Sequence, residues 1–134
     1  MKNIFITIAV VVCSCMAFAA NWPTSIVGTW EGVSNQSEIR LVITNQSGSG
    51  ECKAIAGTMN NLPSGGASNI QGFYCPATGR VMFLRKDINT NATFQSYSAN
   101  TSDVGSELRM GGTFAEMNFA GHLGEYNFYV QKKE

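Results

Sequence analysis

The chain has 134 residues, a formal net charge of zero and only 13% charged residues. That size bounds one small domain. No basic patch stands out, which argues against nucleic acid, and no charge run or basic amphipathic helix suggests a membrane surface.

Met1-Lys2-Asn3 gives a short positive start, and Ile4 to Val12 is an unbroken apolar run. Ala17-Phe18-Ala19 then places small residues where a signal peptidase reads them. The stretch reads as a secretory signal peptide over 1–20, too short for a membrane anchor. A buried N-terminal strand is the alternative. A lipoprotein signal is another, although Val12-Cys13-Ser14-Cys15 puts Cys where a small aliphatic residue is usual. Cleavage near Ala19 or Ala20 predicts a secreted or periplasmic domain over 21–134, with a net charge of about −1 and no membrane contact. Cys13 and Cys15 leave with the signal. Cys52 and Cys75 remain, and an even pair in an oxidising compartment predicts one disulfide. A metal site is not expected, because His122 is the single histidine.

The mature chain repeats with period two. Ile26 to Ser34 reads as the first strand. Glu38 to Thr44 alternates, with Ile39, Leu41 and Ile43 on one face and Arg40, Val42 and Thr44 on the other. Asn45 to Gly50 is a turn cluster. Cys52 to Asn60 and Asn69 to Cys75 read as strands around an Asn61–Ser68 loop. Pro76 to Gly79 turns the chain into Arg80 to Asp87. Further strands are expected at Ala92 to Ala99, Glu107 to Ala115 and Tyr126 to Lys132. Met117 to Leu123 fits either an extension of the seventh strand or a loop.

About eight short strands without a helix predict an all-β, eight-stranded antiparallel up-and-down barrel, with a flattened sandwich as the alternative. The third and fourth strands then form a hairpin in which Met59 faces Ser68, Gly57 faces Ile70 and Cys52 meets Cys75. Glycines inside strands, among them Gly32, Gly57, Gly72 and Gly112, are expected to relieve crowding at barrel bends. No Gly-rich loop opens a helix, so dinucleotide and P-loop patterns are absent.

With the strands placed, Gly28-Thr29-Trp30, Ile55-Ala56-Gly57-Thr58 and Ile70-Gln71-Gly72-Phe73-Tyr74 resemble segments of the avidin and streptavidin family. The order and spacing hold loosely through Arg80 to Val130. The resemblance implies an eight-stranded barrel whose open end holds one small molecule, with biotin as the family's ligand. By position it suggests Trp30, Ser34, Met59, Asn61, Arg85, Phe94, Phe114 and Tyr126 as ligand-binding candidates. Several depart from the family pattern. Gly32 stands where the family has an asparagine, Ser34 and Gln36 replace a leucine and a serine, and Met59 replaces a tyrosine. Arg85 or Leu84 sits at a tryptophan position, and Tyr126 falls near an Asp or Asn. Most polar contacts to the ureido ring are therefore missing.

Each candidate also has a plainer reading. Trp30 suits a core plug at the barrel floor. Tyr74, Phe83, Phe94, Phe114, Tyr126 and Phe128 either line a pocket or fill the barrel. Met59, Met82 and Met110 read as gap fillers. Arg85-Lys86-Asp87 reads first as a solvated strand end, and functionally as an anion or carboxylate contact by Arg85 at the mouth. His122 reads as an exposed loop residue. One histidine and no nucleophile elbow make a catalytic triad improbable, so no enzyme activity, cofactor or metal is expected. The expected partner is a small-molecule ligand. A protein partner, as for a hydrolase inhibitor or immunity factor, is the alternative, and a homo-oligomer is a third reading.

Overall fold

The computed structural model describes residues 22–134, so the signal-peptide segment lies outside the described residues. Eight strands follow in order: β1 (Gly28–Ser34), β2 (Ser37–Ser47), β3 (Lys53–Asn61), β4 (Ala67–Cys75), β5 (Arg80–Lys86), β6 (Thr93–Val104), β7 (Glu107–Asn118) and β8 (Gly121–Lys132). Each pairs antiparallel with the next, and β8 returns to β1, so the sheet is a closed barrel. Closure leaves no strand edge free, the usual solution for a small all-β domain.

The alternation seen in the sequence sets which side chains enter the core. In β2, Ile39, Leu41 and Ile43 are buried while Glu38, Arg40 and Thr44 are exposed. In β5, Val81, Phe83 and Arg85 point inward, and Met82 and Leu84 point out. Met82 is 56% exposed, so it is not a gap filler; Met59 and Met110 are fully buried.

β2, β4, β6, β7 and β8 run longer than the sequence suggested, and bulges explain part of it. β2 shifts register between Ile43 and Asn45, so Asn45, Gln46 and Ser47 stay paired with Ala56, Ile55 and Ala54. An extra residue bends a strand without ending it. β7 and β8 shift between Glu116 and Met117, and the hairpin continues through Met117–His122 and Asn118–Gly121. Met117 to Leu123 therefore belongs to that hairpin, with Phe119 fully exposed at its turn.

Gly72 and Gly112 mark close approaches. A Cβ on Gly72 would collide with the Met82 carbonyl, and one on Gly112 with the Ser98 carbonyl. Only glycine lets the backbones come that close. Gly72 also stands opposite Phe83 in the ladder.

The floor is the end where β1 begins. Trp30 is fully buried there, and its indole Nε1–H donates to the Ile26 carbonyl at 3.0 Å. The segment before β1 is tied across this end. The Tyr74 hydroxyl donates to the Pro23 carbonyl, Gln46 Nε2 to the Thr24 carbonyl at 2.8 Å, and the Ile26 N–H to Gln46 Oε1 at 3.0 Å. Cys52 and Cys75 close the same end. The β3–β4 ladder pairs Lys53 with Tyr74 and Met59 with Ser68, which brings the cysteines together in a disulfide with a Cα–Cα distance of 4.0 Å.

Candidate functional site at the barrel mouth

Four inward aromatic side chains stand side by side because the register pairs them. Phe83 lies opposite Tyr97, Tyr97 opposite Phe114 and Phe114 opposite Tyr126. Phe83 and Tyr97 stack at 4.5 Å and 7°, and Tyr97 and Phe114 at 5.0 Å and 17°. Tyr126 tilts against Phe114 at 5.3 Å, and Phe128 meets Tyr97 edge-on at 5.0 Å. Offset and edge-on pairs of this kind add to simple area burial. None of Phe83, Tyr97, Phe114 and Phe128 is more than 4% exposed, so these rings fill the lumen at their level.

A polar cluster lies above them at the mouth. Arg85 Nη1 donates to Gln95 Oε1 at 3.1 Å, and Nη2 donates to Asn61 Oδ1 at 2.9 Å. The Tyr97 hydroxyl donates to the same Gln95 oxygen at 2.9 Å and lies 3.3 Å from Ser34 Oγ. Burial pushes the Tyr97 phenol above its ordinary range, opposed by the Ser34 hydroxyl and by the Arg85 charge.

Arg85 is 6% exposed, so the solvated strand-end reading fails for it. Its place in the β5 alternation, two residues after Phe83, turns it inward despite its charge. β6 helps to bury it. Arg85 pairs with Gln95 and Lys86 with Thr93, which leaves Phe94 as the extra residue of a bulge. The Phe94 ring lies 5.3 Å from the guanidinium carbon, within cation–π range. Among the described residues no carboxylate lies within ion-pair distance of Arg85, and its Nε has no hydrogen-bond partner.

Of the residues suggested from sequence, Ser34, Asn61, Arg85, Phe94, Phe114 and Tyr126 come to this end. Met59 is fully buried in the core, one inward position from Asn61, and Trp30 lies at the floor. Tyr74 also belongs to the floor. Two members of the cluster, Gln95 and Tyr97, were missed. Their signal was the alternation Gln95, Tyr97, Ala99, Thr101 within β6. His122 is exposed on the β7–β8 hairpin. Among the described residues no group of three or more metal-ligating side chains is gathered.

A second feature lies on the outside of the wall. Phe73, Met82 and Leu84 are exposed on β4 and β5, and a groove of about 680 Å³ runs along them. Small side chains flank them, with Ala54 and Ala56 on one side and Ser96, Ser98, Thr113 and Ala115 on the other. No protein-family model matches the chain, and no curated protein matches it.

Proposed function

We propose that this chain is an exported, non-catalytic binding protein of avidin-like architecture that takes one small molecule at its open end. The observation that carries the reading is the mouth itself. Ser34, Asn61, Arg85, Gln95 and Tyr97 converge over an aromatic base on a closed, disulfide-pinned barrel. A few convergent polar groups on an apolar wall are the usual make-up of a small-ligand site. Because the rings fill the lumen, the ligand sits above Phe114 rather than deep in the barrel. Selectivity then comes from the loops after β3 and β5.

The test is calorimetric titration of the oxidised 21–134 chain, with biotin as the first probe. Saturable binding at one site per chain, lost in Phe114→Ala, supports a divergent avidin. No heat and no change in melting temperature dismisses biotin and moves the search to other small molecules.

The outer groove favours a second reading, a module that binds protein. A second copy of the chain is the occupant its relief suits. A two-fold axis running along the strands between β5 and β6 sets β4 against β7 and β5 against β6 of the other copy. Phe73, Met82 and Leu84 then face Ser96, Ser98, Thr113 and Ala115, large against small, in a self-complementary contact. Sedimentation decides it. A dimer that Leu84→Glu breaks supports the reading, and a monomer at high concentration removes it.

A further inference from the structure

We infer that the mouth is a carboxylate site and that Arg85 is the residue that recognises the ligand's carboxylate. This rests on the open-end reading above and gives the ligand its chemical class.

The argument starts from what Arg85 lacks. A guanidinium has five N–H donors and a permanent charge. Here it is 6% exposed, and the acceptors found for it are two neutral amide oxygens, Gln95 Oε1 and Asn61 Oδ1. Burying an unpaired charge is among the most expensive things a small domain can do. The second buried atom without a partner, Arg109 Nε, is a different case, because Arg109 pairs with Glu107 at 2.7 Å. Arg85 has no such carboxylate among the described residues.

The residues around Arg85 hold it ready rather than neutralise it. Gln95 and Asn61 accept from the two Nη groups, and the guanidinium carbon lies over the Phe94 ring. The remaining donors are Nε–H and the second hydrogens of the Nη groups. Nε–H with one Nη–H is a planar fork that matches the two oxygens of a carboxylate. One cation with a single free fork suits a monoanion better than a phosphate. Phe94 is the piece that moves, because a bulge residue is free of the ladder on both sides.

Glu116 is the carboxylate to weigh against this. It faces Gln95 across the β6–β7 ladder, and its charge is felt at Tyr97. It is not within ion-pair distance of Arg85. As the rim's negative charge it opposes an incoming anion, so Glu116→Gln tightens carboxylate binding.

The experiment follows the Arg85 Nε–Hε resonance in the oxidised 21–134 chain by NMR. The probes are benzoate and hexanoate, each beside its uncharged amide, with sodium chloride as the ionic-strength control. The expected result is a saturable shift with the carboxylates, weaker by about tenfold or more with the amides. Arg85→Gln abolishes carboxylate binding, read through the Tyr97 and Phe114 ring signals. Arg85→Lys, which keeps the charge without the fork, recovers it only in part. Equal binding of acid and amide, unchanged in Arg85→Gln, keeps the open-end reading and overturns this inference. So does an absence of any shift at millimolar carboxylate. If Glu116→Gln alone moves the Nε–Hε resonance as far as benzoate does, Glu116 is the counter-ion and the inference also falls.

Discussion

Arg85 and Tyr97 share one acceptor: guanidinium and phenol both donate to Gln95 Oε1, at 3.1 and 2.9 Å. Gln95 is thus the joint between the mouth's charge and its aromatic base. Gln95→Leu leaves the buried Arg85 Nη1 without its acceptor and the Tyr97 hydroxyl with Ser34 Oγ alone, and is expected to destabilise the fold by about 3 kcal/mol in urea unfolding. Gln95→Glu supplies a carboxylate instead. It should retain stability far better than the leucine variant while losing affinity for added carboxylates. Equal stability of the two variants would show that this joint is not an energetic centre.

Alkaline pH offers a second check. Burial raises the Tyr97 phenol, and it raises Tyr74 as well, where the Thr101 hydroxyl opposes it. The unfolded phenols ionise near the ordinary value of about 10, before the folded ones do. Their contribution is therefore fully present below that pH and is lost as pH climbs from the unfolded value through the raised folded one. Tyr97→Phe should flatten that loss, measured as unfolding free energy across the alkaline range. An unchanged slope in the variant would mean that Tyr97 titrates alike in both states.

The Cys52–Cys75 bond closes a segment with a sequence separation of 23. Chain-entropy reasoning gives it about 3 kcal/mol, a large share for a small domain. The Cys52→Ala/Cys75→Ala double variant should lose about that much. Its β3–β4 hairpin amides should also exchange faster than those of the β7–β8 hairpin. Uniform exchange across both hairpins would place the stabilisation elsewhere.

Trp22 lies against Gly79 in the β4–β5 turn, where a Cβ would meet the indole ring and φ is +67°. Gly79→Ala should cost about 1–3 kcal/mol through backbone strain and displace the ring. Tryptophan fluorescence reads this directly. Trp30 is fully buried, so a red shift reports the release of half-buried Trp22. An unshifted spectrum would mean that the turn absorbs the methyl group without moving Trp22.

The barrel and its hairpin register were legible because a half-buried strand writes its two faces into alternate residues. Met59 opposite Ser68 and the meeting of the two cysteines followed once the hairpin was centred on the Asn61–Ser68 loop. Arg85 and Met82 were misread because hydropathy was set against parity. Parity turned the charge in and the thioether out, since a one-residue slip would have exposed Val81 and Phe83 as well. Gln95 and Tyr97 were missed for a related reason. The bulge at Phe94 restarts the alternation one residue later than β5 suggests, and nothing local announces it. The outer groove was beyond reach, because its small flanking residues come from β3, β6 and β7, far apart in sequence.

The chain enters the barrel at Gly28 and leaves it at Lys132, both on the Trp30 rim. Arg85 and its partners face the other way. A fusion or surface linkage joined at either side of the domain would thus present the mouth outward, unobstructed, in one fixed polarity. An even number of antiparallel strands has this built in, since the last strand must come home to the rim from which the first set out.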